Sequence, residues 1–215
     1  MRKNWWLILG MLHIAGSAQA KGRARPLQMV DIQGQLDRFT LSADGQVDGF
    51  LLEDGTEVHV GRYLATQLGQ AVQQGEPVRV RGVQVSGVRV VAASSVTSEG
   101  TEAIIGTGEA PSNPATPASA GTPDASGGGA VKQLLHGHRG EVDGAVLENG
   151  LVVRLPPNAP IARADLFVVG HELAVRGVAF DTAYGRVIRI DSIGASDDDL
   201  GPVRQTGLEP QPPLP

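Results

Sequence analysis

The segment Val47-Asp48-Gly49-Phe50-Leu51-Leu52-Glu53-Asp54-Gly55 recurs 95 positions later as Val142-Asp143-Gly144-Ala145-Val146-Leu147-Glu148-Asn149-Gly150. The same offset carries Gly75 onto Gly170 and Val80-Arg81-Gly82-Val83 onto Val175-Arg176-Gly177-Val178. One ungapped register over so many positions means two copies of a single small β-rich module, and it constrains the build more than any other feature. It says little about chemistry.

Each copy reads as three strands, a helix and two strands. In the first, an opening strand beginning near Val30 ends at Phe39-Thr40-Leu41, and residues 47–53 form the second. Asp54-Gly55 and Asn149-Gly150 then predict hairpin turns with positive φ at both central residues. Thr56 to Val60 alternates, placing Val58 and Val60 inward and Glu57 and His59 outward. Leu64, Leu68 and Val72 recur at helical spacing, and Gly75 is a stop signal. Val78 and Val80 alternate with Arg79 and Arg81 in a fourth strand, and residues 88–96 give a fifth. In the second copy Pro156-Pro157 and Pro160 predict a shorter helix, and the last hairpin is two residues longer, because Ser192-Ile193 matches Ser95-Val96 at offset 97. This order predicts an all-β chain with one short helix per module: two OB-fold-like five-stranded barrels in tandem, joined by a disordered linker.

The expected organisation is a signal peptide over 1–20, a first module over 27–98, a linker over 99–130, a second module over 131–196 and a disordered acidic, proline-rich tail over 197–215. Arg2 and Lys3, the apolar run from Trp5 to Gly16 and Ala18-Gln19-Ala20 have the form of an export signal. The run is shorter than the roughly 20 residues a spanning helix needs. Cleavage after Ala20 would leave a periplasmic or secreted chain with no membrane span. The linker holds Pro111, Pro114, Pro117, Pro123 and Gly127-Gly128-Gly129, a composition too poor in apolar residues to offset ordering entropy. It predicts two modules that move almost independently. There is no cysteine, so stability rests on packing alone.

Tandem modules with the pattern Gly-x-Val-Asp-Gly-x-x-Leu-x-Asp/Asn-Gly-x-x-Val, here Gly45 to Val58 and Gly140 to Val153, resemble small exported bacterial proteins with OB-fold-like domains. Pro156-Pro157, Arg81-Gly82 and Arg176-Gly177 belong to the resemblance, whereas Gly61-Arg62 stands where the first copy would have Pro-Pro. The resemblance implies the fold and the compartment. It carries over no activity and no catalytic residues.

Removing residues 1–20 takes Arg2 and Lys3 from the 18 basic residues and none of the 23 acidic ones, leaving −7. Phosphate backbones select for clustered Lys and Arg, so this balance argues against nucleic acid as a partner. Arg79, Arg81 and Arg89 form a basic strip that could hold a small anionic ligand or an acidic envelope protein. The alternative for the strip is ion pairing to Glu57 or Glu76. Phe180 and Tyr184 flank the last hairpin of the second copy, where OB folds bind ligands, and could stack on a sugar or base if exposed. His136 and His138 share a strand face and could meet one metal ion. Asp48 and Asp143 match across the copies, each before a glycine, and are expected to satisfy backbone donors in turns. No nucleophile–base pair, phosphate loop or cofactor motif is present. The sequence thus reads as a non-enzymatic binding module of the cell envelope. Its alternatives are an oligonucleotide-binding OB protein and a metal-dependent enzyme near His136 and His138.

Overall fold

The computed structural model describes residues 28–98, 104–105, 120–157 and 163–203. The expected signal peptide, most of the expected linker and the end of the expected tail lie outside the described residues.

The first half contains β1 (Gln28–Leu41), β2 (Val47–Leu52), β3 (Glu57–His59), α1 (Arg62–Ala71), β4 (Pro77–Gln84), β5 (Val90–Ser98) and the short β6 (Ile104–Ile105). The long β1 pairs through its first half with β4 and through its second half with β2. The sheet runs β3-β2-β1-β4-β5-β6, and a parallel β3–β5 pairing closes it into a barrel. The second half repeats this with β7 (Thr122–His136), β8 (Val142–Leu147), β9 (Val152–Arg154), β10 (Glu172–Thr182), β11 (Gly185–Gly194) and β12 (Gly201–Pro202), closed by a parallel β9–β11 pairing. This is the OB-fold topology, twice. Leu36, Phe50, Val58, Leu64, Leu68 and Val80 are among the residues filling the first barrel, with the apolar stripe of α1 plugging one end. Val131, Leu147, Val153, Leu173, Ile188 and Ile190 are among those filling the second. In the second copy a 3₁₀ turn at Ala164–Leu166 stands near where α1 stands in the first, and Phe167 plugs the core.

The glycines of the shared motif are explained by close approach. A Cβ on Gly49 would collide with the Val58 carbonyl, and one on Gly144 with the Val153 carbonyl. The second and third strands can cross at that spacing only without a side chain.

Four expectations are corrected. First, β7 begins at Thr122, inside the segment expected to be linker, because Gly127 and Gly128 are strand residues against β10. A Cβ on Gly128 would lie 2.6 Å from the Leu173 carbonyl, so the glycines serve packing. Second, the expected tail is structured as far as Val203, which is 1% exposed in the second core while Arg163 pairs with Asp199 at 2.8 Å. Third, the hairpins are not two-residue turns. Gly55 N–H donates to Leu52 O and Leu52 N–H to Thr56 O, with φ +81° at Gly55 alone. That is a three-residue loop with a left-handed glycine, and Asn149-Gly150 repeats it with φ +86° at Gly150. Fourth, the barrels are not independent. Leu41, Leu51, Leu135, Val146, Val152, Phe180 and Val187 form a third core that belongs to both.

The contact between barrels is reciprocal. Arg38 Nη1 donates to Gly150 O at 3.4 Å, and its repeat equivalent Gln133 donates through Nε2 to Gly55 O at 3.1 Å. Gly45 faces Phe180, and its equivalent Gly140 faces Val85 and Val88. The same patch on each copy meets the other, the arrangement of a two-fold dimer built within one chain.

Candidate functional site

The shared interface joins the second and third strands of each barrel to the ends of the first strands and, from the second barrel, to β10 and β11; the second and third strands form a face through which OB folds commonly bind oligonucleotides and oligosaccharides. Its polar centre is Arg154, 3% exposed. The guanidinium donates through Nε to Leu41 O at 2.7 Å, through Nη2 to Asp48 at 2.9 Å and through Nη1 to Asp143. Thr40 Oγ1 donates to the second face of the Asp48 carboxylate at 2.7 Å. Asp48 and Asp143 therefore lie on strands and converge on one arginine, and the expectation that they serve turns is corrected. Burial pushes the Asp143 carboxyl up, Glu57 and Asp48 add to this, and Arg154 opposes it without cancelling it. Burial works against the Arg154 charge, but Asp48 and Asp143 outweigh it and hold the guanidinium more firmly protonated than usual.

Beside this triad runs a chain of histidines. Glu57 is 1% exposed, although it points out of its own barrel. Its Oε1 lies 2.9 Å from His59 Nε2, and its Oε2 lies 3.1 Å from His136 Nδ1 and 3.0 Å from the His136 backbone N–H. Burial raises the Glu57 carboxyl, but His59 and His136 outweigh it and hold it below the usual carboxylate range. A carboxylate only accepts, so His59 carries a proton on Nε2 and His136 one on Nδ1. His59 Nδ1 and His138 Nδ1 are 3.4 Å apart, with the rings edge-on. That contact holds a single proton, and a second one sets two N–H groups against each other. His136 and His138 thus turn to different partners. Among the described residues no group of three or more His, Asp or Glu side chains is arranged to hold a metal ion.

The remaining expected site residues are placed as follows. Arg79 and Arg81 both grip Asp31, at 2.9 and 3.0 Å, where the Arg81 hydrogen bond and Arg79 hold its carboxyl below the usual range. The strip is a local ion-pair ladder between adjacent strands, with Asp31 taking the role expected of Glu57 or Glu76. Arg89 sits apart from it, 2.8 Å from Asp54. Phe180 is 8% exposed in the shared core, with Arg189 over its ring. Tyr184 leans on the first barrel, edge-on to Phe39 at 4.8 Å, with its hydroxyl donating to Gly69 O at 3.0 Å. Phe180 is spent on the interface, which corrects its reading as a free stacking surface, whereas Tyr184 packs against Phe39 and stays 42% exposed.

Sequence reasoning missed Arg154, Glu57 and His59. A signal existed: Phe50-Leu51-Leu52 and Ala145-Val146-Leu147 are continuous apolar runs, and a strand apolar on both faces is covered on both.

With the strand faces buried, a cleft of about 860 Å³ remains open between the barrels. The loop joining β4 to β5 (Val85, Val88 and Arg89) forms one wall, and Lys132, Leu134 and Val169 lie across from it. Lys132 makes no ion pair among the described residues, and Val169 is 59% exposed.

No family model matches the chain, and no curated protein matches it. Among solved structures it is similar to the single-stranded DNA binding protein from Thermus aquaticus, at 17% identity over 88% of this chain and 98% of that one, with a TM-score of 0.24. It is also similar to a deletion mutant of that protein, at 18% identity over 86% and 96%, with a TM-score of 0.23. Those proteins bind single-stranded DNA, and the expectation that an acidic chain sets nucleic acid aside is corrected. Net charge is a sum over the whole surface and does not describe any one place on it; Arg89 and Lys132 both line one cleft.

Proposed function

We propose that this chain is a non-enzymatic binding protein that takes an anionic ligand in the cleft beside the β4–β5 loop. The observation that carries this reading is the mutual burial of the two strand faces. It leaves the loop cleft, with Lys132 in no ion pair among the described residues and Arg89 at its rim beside Asp54, as an open concavity between the barrels. Among anionic ligands a single-stranded oligonucleotide is the first class to try, because OB barrels bind oligonucleotides through the loop joining strands four and five. Fluorescence anisotropy with a labelled oligothymidine at two salt concentrations tests it. The expected result is binding that weakens with salt and loses several-fold with Lys132→Ala. Binding indifferent to both Lys132→Ala and Arg89→Ala would refute this placement of the site.

We propose further that the protein acts outside the cytoplasm, on the strength of the export-signal pattern in residues 1–20. Mass spectrometry of the expressed protein in its source cell should find a chain starting at Lys21. A full-length chain in the cytoplasm would refute it.

A further inference from the structure

The two halves of the inter-barrel contact are equivalent by sequence but not equally filled. On one side the loop joining β10 to β11 reaches across, and Tyr184 lies against Phe39. The repeat equivalent of Phe39 is Leu134, which lines the open cleft on the other side. The loop that should cover it, from Val85 to Val88, is two residues shorter, and Gly87 stands at its tip with nothing within 4 Å of a Cβ. The protein therefore builds the same seat twice and supplies a ring for one of them.

We infer that the open seat takes a planar ring from a ligand, in the place that Tyr184 takes in the closed half, with the ligand's anionic group at Lys132 and Arg89. This rests on the cleft being the ligand site. Leu134, Val85, Val88 and Val169 offer an apolar slot, and aromatic rings draw most of their binding energy from such contact. Lys132, in no ion pair among the described residues, adds a compact point charge that suits a phosphate. Glu57 and His136 close the inner end. Ring plus phosphate is the chemistry of a nucleotide, either free or as one unit of a strand.

Calorimetry on the full chain with four probes tests this: adenosine monophosphate, adenosine, ribose 5-phosphate and oligothymidine. Adenosine monophosphate or the oligomer should bind at least tenfold more tightly than ribose 5-phosphate. An oligomer much tighter than the monophosphate identifies a strand as the source, and equal affinity identifies a free nucleotide. Replacing Ser86-Gly87 with the Asp-Thr-Ala-Tyr of the longer loop should fill the seat and reduce binding at least tenfold, with the fold checked by circular dichroism. Leu134→Trp, which fills the seat from below, serves if the graft fails to fold, and the same loss is expected. Ribose 5-phosphate binding as well as the ringed probes, or filled-seat variants binding like wild type, would overturn the ring seat alone. No binding by any probe would overturn the cleft as a ligand site with it.

Discussion

Arg154 shows how one residue holds two domains. It anchors a carboxylate from each copy and caps a carbonyl of the first barrel, and its repeat equivalent is His59, so the triad exists once. Breaking a buried ion pair costs about 3–5 kcal/mol. Asp48 and Asp143 are 36% and 37% exposed, which softens the penalty of stranding them. Arg154→Ala should therefore cost about 2–3 kcal/mol, at or below the low end of that range, read from urea midpoints. Glu57 makes a second prediction at this scale. Its carboxyl is held below its ordinary value in the folded chain, so its contribution is complete above the unfolded-chain value, about 4.3. The contribution is lost as pH falls through the folded value. Glu57→Gln should be less stable than wild type at pH 7, and the gap should narrow at pH 3. A gap independent of pH would mean that packing, and not charge, holds Glu57 in place.

At the scale of elements, the hairpins after β2 and β8 couple local geometry to the interface. Gly55 needs its positive φ, Asp54 Oδ1 accepts from the Thr56 N–H at 2.9 Å, and the Gly55 carbonyl accepts from Gln133 of the other barrel. A β-branched residue in the left-handed region costs about 1–3 kcal/mol. Gly55→Val should lower the melting temperature of the whole chain in one transition, because the turn it distorts is also a contact across the barrels. An unperturbed second barrel, seen by amide chemical shifts at Gln133 and Leu135, would show that the two hairpins act separately. The hairpin itself was half legible: Asp-Gly and Asn-Gly marked the turn, but the loop length depends on strand twist across the pair, which dipeptides do not encode.

For the whole molecule, the shared core makes the barrels one cooperative unit. Wild type should show a single calorimetric transition whose calorimetric and van't Hoff enthalpies agree. Leu135, fully buried in that core, is the place to split it. Leu135→Glu buries a charge with no partner, so the barrels should part, giving two transitions and a larger radius of gyration by small-angle scattering. One transition at a lower temperature, with no change in size, would mean that the barrels stay docked without this core.

The chain's repeat, strand order and barrel interiors were determined by sequence alone, because periodicity-two burial and turn residues are local properties that both copies display. The repeat also held an unused clue, since carrying β1 forward by 95 residues starts β7 within the glycine run, where composition alone suggests a linker. The pairing of the barrels was decided only in three dimensions. Glu57 and His59 alternate as outward residues should, and outward from one barrel is inward to the other. Local pattern states which face a side chain leaves by. What stands on that face, another copy's Arg154, His136 and His138, depends on contacts 79 to 113 residues apart in the chain, and no local pattern reports them.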